Sequence, residues 1–265
     1  MIRVFIRILR AFLRILPPGA HDVIESLSQD ANGKGYVGSL EEEVTVFVEL
    51  LNRVKDGKGE VHNLVVFDIG ANVGDWTAEL IRALPTAEIT AVEPNPYLFD
   101  KLAKRFDLFP NIQMRQVAIA NSDTTLPFYA DYTESAMGSL QFRNVQHLDY
   151  QFELIANVKV TTLDAFAKGL SMPHAIKIDV EGLELQVLEG ATETLRELSL
   201  IQFEFGGTNI DTRVFFKDFF QLLSPEFRIL RLCPNGRVRE IKKYRESDEC
   251  FRFTTYYAVK AELNQ

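Results

Sequence analysis

Leu64-Val65-Val66-Phe67-Asp68-Ile69-Gly70-Ala71-Asn72-Val73-Gly74-Asp75-Trp76-Thr77 is the stretch on which the fold turns. From Leu64 to Ile69 every residue but Asp68 is apolar, the pattern of a short strand buried on both faces. Gly70 and Gly74 then allow a tight turn with close backbone approach, and Asn72 tolerates positive φ better than most side chains. Asp75 opens a helix predicted over residues 75–84, and a second strand, 88–92, runs directly into Glu93. Strand, glycine turn, helix and strand make one crossover unit of a parallel sheet. Ligands of such sheets sit beyond the carboxyl ends of the strands, so the polar residues after each strand are the first candidates for a site.

The same alternation continues outward. The pattern predicts a helix over 96–106, a strand over 112–119, a helix over 163–169, a strand over 175–180, a helix over 183–195, a strand over 200–205 and a helix over 212–223. Two last strands, 227–232 and 253–259, are separated by a charged stretch with Asn235-Gly236 and are free to pair antiparallel. Residues 121–162 break the rhythm with strand-like pieces at 125–129 and 157–161, and read as an insertion near the active face. The expected class is α/β, a mostly parallel sheet with helices on both faces, formed by residues 63–262. Before it stand a helical lead-in, 20–62, with a loop over 20–40 and a helix near 40–55, and an N-terminal segment, 1–19.

Composition narrows the function classes. The 265 residues are 46% hydrophobic and 25% charged, ordinary for a globular protein. A formal charge of -8 argues against nucleic-acid binding, which needs clustered Lys and Arg, and leaves small molecules and glycans as the expected substrates. Cys233 and Cys250 have no metal-ligand spacing and do not make a disulfide scaffold, which fits a cytoplasmic setting. Residues 1–16 are apolar except for Arg3, Arg7, Arg10 and Arg14, which fall within an arc of roughly 60° on a helix. The arginines interrupt every apolar run, so no spanning segment is available. Two readings stay open: a helix lying in the inner face of a membrane, or one docked on its own domain or a partner. Pro17-Pro18-Gly19 is expected to end it.

Charge selects the cofactor. A dinucleotide site has GxGxxG after the first strand, whereas Gly70 opens Gly-Ala-Asn-Val-Gly with no glycine two positions on. Asp68 would repel a pyrophosphate but suits the methionine ammonium of S-adenosylmethionine, directly or through water. Glu93 is placed to accept hydrogen bonds from both ribose hydroxyls. The expected cofactor set is Asp68, Gly70, Ala71, Asn72, Gly74, Thr77, Glu93, Pro94, Asn95 and Ala118.

Three blocks make the chain resemble the FkbM family of methyltransferases: VVFDIGANVGDWT at 65–77, AVEPNP at 91–96, and TTLDAF with IKIDVEGLELQVLEGA across 161–191. With Gly138-Ser139-Leu140 and Glu204 the resemblance covers about 64–204. It implies a class I methyltransferase (Rossmann-like) fold, seven strands with an antiparallel last one, and methyl transfer from S-adenosylmethionine, commonly to a hydroxyl of a sugar, glycolipid or secondary metabolite. An alcohol acceptor must lose a proton, so a base or a metal ion is needed. Lys177, Asp179 and Glu181 alternate at the end of one strand and share a side if it stays extended, and Glu204 ends the neighbouring strand. Asp179 is the preferred base, with Glu204 assisting and Lys177 pairing with a carboxylate or orienting the acceptor; Asp179 and Glu204 would be the ligands of a divalent cation. Glu184 reads as a first-turn acid favoured by the helix dipole. His147 and His174 are weaker candidates for a base, and Tyr129, Tyr132 and Phe142 for pocket walls. N-methylation of an amine and a catalytically silent binding module are the rival functions.

Overall fold

The computed structural model describes residues 18–56, 64–143 and 151–261. The expected helix over 1–16 and His147 lie outside these residues.

Strand β1 (Val65–Ile69) lies inside the sheet, with both faces covered. Val65, Phe67 and Ile69 enter one core, while Leu64 and Val66 enter the other. This two-sided burial is why the run is apolar at successive positions. Strands β2 (Glu88–Val92) and β3 (Ile112–Arg115) extend it in parallel on one side, and β7 (Ala175–Ile178) and β8 (Leu200–Phe205) on the other. The last strand, β11 (Thr254–Lys260), runs antiparallel between β8 and β9 (Phe227–Cys233). The architecture implied by the sequence is therefore present, with one edge strand added. Asn235 and Gly236 both adopt φ 65°, closing a tight hairpin that places β10 (Arg237–Glu240) beside β9. The order is β10-β9-β11-β8-β7-β1-β2-β3.

Helices cover both faces. Helix α1 (Pro18–Ala31) precedes α2 (Leu40–Asp56), which packs with α3 (Asp75–Ala83) and α4 (Pro96–Phe106) through Phe47, Leu51, Trp76, Leu80 and Phe106 on one face. Helices α5 (Leu163–Ala167), α6 (Glu184–Glu189) and α9 (Phe216–Leu223) cover the other through Leu163, Val187, Leu188, Phe216 and Phe219. Two short helices, α7 (Thr194–Glu197) and α8 (Thr208–Thr212), lie between them in sequence.

Four sequence expectations are corrected. Residues 18–31 are helical rather than part of a loop, because Pro18 occupies the first turn of α1, where its fixed φ and missing N–H cost nothing. The expected strand 112–119 divides between two sheets. Past β3 the chain turns away, and β4 (Ala118–Ala120) pairs with β6 (Glu153–Thr162), which pairs with β5 (Thr124–Ala130) in a small sheet of order β4-β6-β5. The expected helix 183–195 breaks between α6 and α7, since Gly190 lies so close to the Ala120 carbonyl that no Cβ fits. Asp164 then accepts from the N–H groups of Glu193 and Thr194 as α7 begins. The helix expected over 212–223 is α8 and α9, separated by Arg213 in the left-handed region.

Helix α2 contributes to the main core. Phe47 is fully buried and meets Trp76 edge-on at 5.1 Å, and Tyr257 donates a hydrogen bond to the Glu43 carbonyl at 3.0 Å. Phe47→Ala is expected to cost about 3–5 kcal/mol in urea unfolding, and a loss under 1 kcal/mol would mean that α2 is only loosely attached.

Candidate active site

The two-sided alternation of the strands sends Asp68, Lys177, Gln202 and Glu204 to the sheet face covered by α2, since their neighbours Phe67, Ile176, Ile178, Ile201 and Phe203 fill the opposite core. Lys177 is only 7% exposed. Its Nζ donates to the Gly70 carbonyl at 3.0 Å and lies 3.3 Å from Asp68 Oδ1 and 3.4 Å from Asp179 Oδ2. Burial alone would strip its proton, but the charges of Asp68 and Asp179 outweigh that and hold the ammonium well above the usual lysine range. The other Asp68 oxygen accepts from the Thr77 hydroxyl at 2.6 Å.

A cleft opens at the carboxyl ends of β1 and β2. Gly70, Asn72, Glu93, Pro94, Ala118 and Asp179 line it, with apolar walls from Ile69, Leu98, Val117, Ile119 and Leu140. Asn72 sits at φ 52°, which turns its N–H onto Glu93 Oε2 at 2.8 Å, while Asn95 N–H reaches Oε1 at 2.8 Å. Each carboxylate oxygen thus keeps a further lone pair for the cleft, a fit to a ribose diol, and the apolar walls fit an adenine. Burial pushes the Glu93 carboxyl up to about 7, against those two N–H groups.

Five expected cofactor residues stand outside this cleft rather than in it. Asp68 accepts from Thr77 and lies beside Lys177 behind the cleft, whose acids are Glu93, Asp179 and Glu181. Thr77 is spent on Asp68. Gly74, at φ 84°, serves helix packing, because a Cβ there would strike Phe106. Asn95 caps α4 by accepting from Tyr97 N–H and donates to the Thr133 carbonyl, pinning the insertion. Ala71 lines an adjoining groove with Asp179 and Lys177.

Lys177 and Asp179 meet, but Glu181 does not join them on one extended side. Strand β7 ends at Ile178 and Glu181 is left-handed at φ 55°. Its carboxylate instead lies 3.6 Å from Arg143, a buried residue of the insertion that also donates to Asp211 at 3.0 Å. Ser139 donates to the Glu181 carbonyl at 3.0 Å. Burial and the neighbouring Asp179 charge raise the Glu181 carboxyl above the usual range. Glu184, in the first turn of α6, bends back to accept from Val180 and Gly182 N–H at 3.0 Å each, and burial pushes it up to about 7.

A second pocket adjoins the cleft. Asp179, Lys177, Gln202, Glu204 and Thr255 line it, together with Glu43 from α2. Glu43 accepts from Gln202 at 3.0 Å and Thr255 at 2.7 Å, and burial with the Asp179 charge raises its carboxyl. Burial, then the Asp179 charge, raises Glu204 further. Sequence reasoning missed Glu43, Gln202 and Arg143. Glu43 had left one signal, an acid on the stripe of Leu40, Phe47 and Leu51 that α2 buries. Among the described residues no group of three His, Cys, Asp or Glu side chains is arranged to hold a metal ion, and Asp179 and Glu204 stand as a carboxylate pair. His174 is engaged at the opposite end of β1, accepting from Val65 N–H, and Tyr129 and Phe142 meet edge-on outside the cleft.

Residues 68–231 match the Methyltransferase FkbM domain. The chain belongs to the FkbM methyltransferase family. It is 28% identical over 173 residues to the hexuronic acid methyltransferase AglP of Haloferax volcanii, an alignment taking in 58% of this chain and 65% of that one, a little under two thirds of the relative's length. It is 24% identical over 184 residues to the 2-O-methyltransferase NoeI of Sinorhizobium fredii, covering 65% of this chain and 75% of that one. Among solved structures, the plantazolicin methyltransferase BpumL in complex with SAH aligns with 83% of this chain and 85% of its own, at 12% identity and a TM-score of 0.44.

Only ionised Glu93 offers its full acceptor capacity, so affinity for S-adenosylhomocysteine is expected to rise as pH passes upward through about 7. Calorimetry at pH 6 and pH 8 should give a several-fold tighter Kd at the higher pH, and Glu93→Gln should bind more weakly with the pH dependence reduced. An unchanged profile in that variant would remove Glu93 from the ribose site.

Proposed function

We propose that this FkbM-family chain transfers a methyl group from S-adenosylmethionine to a hydroxyl oxygen of a sugar, glycolipid or secondary metabolite. The observation that carries the reading is the position of Asp179, which lines the cofactor cleft and the adjoining pocket alike. A side chain so placed touches donor and acceptor together. The names of the Haloferax and Sinorhizobium relatives, one specifying a hexuronic acid and the other O-methylation, support an oxygen acceptor on a sugar.

When bound, S-adenosylmethionine supplies an electrophilic methyl carbon whose S–C bond breaks as the O–C bond forms, the electron pair remaining on sulfur. The chain must align the acceptor and take its proton. The hydroxyl proton passes to the Asp179–Glu204 pair. Burial and the charge of Asp179 push the Glu204 carboxyl up to about 10, so Glu204 already carries a proton at neutral pH and Asp179 is the member of the pair that takes the hydroxyl's. Lys177 fixes Asp179 against the Gly70 turn, and Glu181, held by Arg143, ties the insertion to the reacting loop. Ser135, Ala136, Gly138 and Leu140 of that insertion wall the cleft and exclude water.

Incubation with methyl-labelled S-adenosylmethionine and fractionated host lipids, glycans and metabolites, with and without chelator, should label one hydroxyl-bearing fraction. Asp179→Asn is expected to lower kcat about 100-fold or more, and Glu204→Gln, which lies outside the cofactor cleft, to lower it less, with S-adenosylhomocysteine affinity unchanged. Near-normal turnover of Asp179→Asn on an amine would instead establish N-methylation, and tight cofactor binding with no labelled fraction would establish a silent module.

The basic, apolar segment 1–16 further supports peripheral contact with the inner face of a membrane by a cytoplasmic enzyme. Among the described residues no helix is long and apolar enough to cross one. The full chain should co-sediment with anionic liposomes more than a truncation lacking residues 1–19, and equal sedimentation would sink the idea.

A further inference from the structure

The pocket beside the cofactor cleft, taken as the acceptor site proposed above, carries four acceptor-bearing side chains, Glu43, Asp179, Gln202 and Glu204, between apolar walls that include Leu40 and Phe203. Gln202 is 3% exposed and donates its Nε2 to Glu43 Oε2 at 3.0 Å. Its Oε1, buried in the pocket wall, has no partner. A buried carbonyl oxygen left in this state is costly, and a donor on a ligand would satisfy it. Around it stand the carboxylates of Glu43, Asp179 and Glu204. The Lys177 and Thr255 donors of the wall are already used. Lys177 is held by Asp68, Asp179 and the Gly70 carbonyl, and the Thr255 hydroxyl donates to Glu43 Oε1 at 2.7 Å. Burial and mutual repulsion raise the proton affinity of Glu43 and Glu204, a strain that incoming donors or positive charge relieve and a further anion increases.

We infer that this pocket selects donor-rich acceptors, a neutral polyhydroxylated sugar or an amino sugar, and rejects sugars carrying a carboxylate or phosphate. Gln202 supplies the acceptor that reads a hydroxyl or ammonium group. Glu43 supplies the charge that repels an anion, and it does so from α2, outside the cofactor cleft.

The test uses the full chain saturated with S-adenosylhomocysteine and four probes: methyl glucoside, methyl glucosaminide, methyl glucuronide and glucose 6-phosphate. Binding is read by saturation-transfer NMR with titration. The glucoside and the glucosaminide are expected to bind at least tenfold more tightly than the two anions. Glu43→Gln, which keeps an acceptor oxygen and removes a charge, should narrow that ratio to threefold or less while S-adenosylhomocysteine affinity holds. Raising the ionic strength on the unmodified chain should narrow it in the same direction, so the inference stays testable if the variant fails to fold. Equal binding of the glucuronide, or binding of none of the four probes, overturns it. Label transferred to a uronic acid also overturns the inference while upholding methyl transfer. The expected binding order in a chain that methylates nothing would uphold the pocket's preference and remove the reaction.

Discussion

One buried ammonium organises this site. Lys177 gathers Asp68 from β1, the carbonyl of the Gly70 turn that follows it, and Asp179 from the loop after β7. A charge pair buried this deeply adds little net stability, because desolvation consumes most of the attraction, but losing one partner leaves an uncompensated charge. Its value lies in geometry. With the ammonium in place, the Gly70 turn cannot move relative to Asp179, and a Cβ at Gly70 would run into the Asp179 carbonyl. The floor of the cleft and Asp179 are thereby tied together.

The rest of the site is braced from two directions. Glu184 returns from α6 to hold Val180 and Gly182 N–H, which fixes the loop through the left-handed Glu181. The insertion reaches the same loop from above through Ser139 and Arg143, and reaches the second strand's end through Asn95 and the Thr133 carbonyl. The insertion is therefore attached at both rims of the cleft. Opening it requires breaking contacts to the cofactor side and to the reacting loop together, which couples entry of one ligand to the shape presented to the other.

Much of this was legible in the residues, for physical reasons that also mark where legibility stops. Two-sided burial writes itself as an apolar run, so β1, β2 and β8 were readable, and the strained turn demanded glycines at 70 and 74 and an asparagine at 72. Glu93 was readable because it directly follows a strand. Asp68 was read as a ligand group and turned out to be the partner of a buried lysine, since local pattern reveals a carboxylate but not the cation that a strand over 100 residues away will bring to it. The left-handed turn at Glu181 was invisible for the same reason: its stabilisers, Glu184 and Arg143, act across the fold. Pro18 was read as a stop because proline ends helices as readily as it begins them, and only the register of the next turns decides. Glu43 was hidden in a run of three acids, two of which serve the surface and the 235–236 hairpin.

Glu43 and Thr255 lie outside residues 68–231, the part shared with the family, while the walls of the cofactor cleft lie inside it. The second pocket is thus assembled from both sides of that boundary: Lys177, Asp179, Gln202 and Glu204 come from the shared block, and Glu43 and Thr255 from the helix before it and the strand after it. Change confined to Glu43 and Thr255 would alter that pocket while every wall of the cofactor cleft stays as it is.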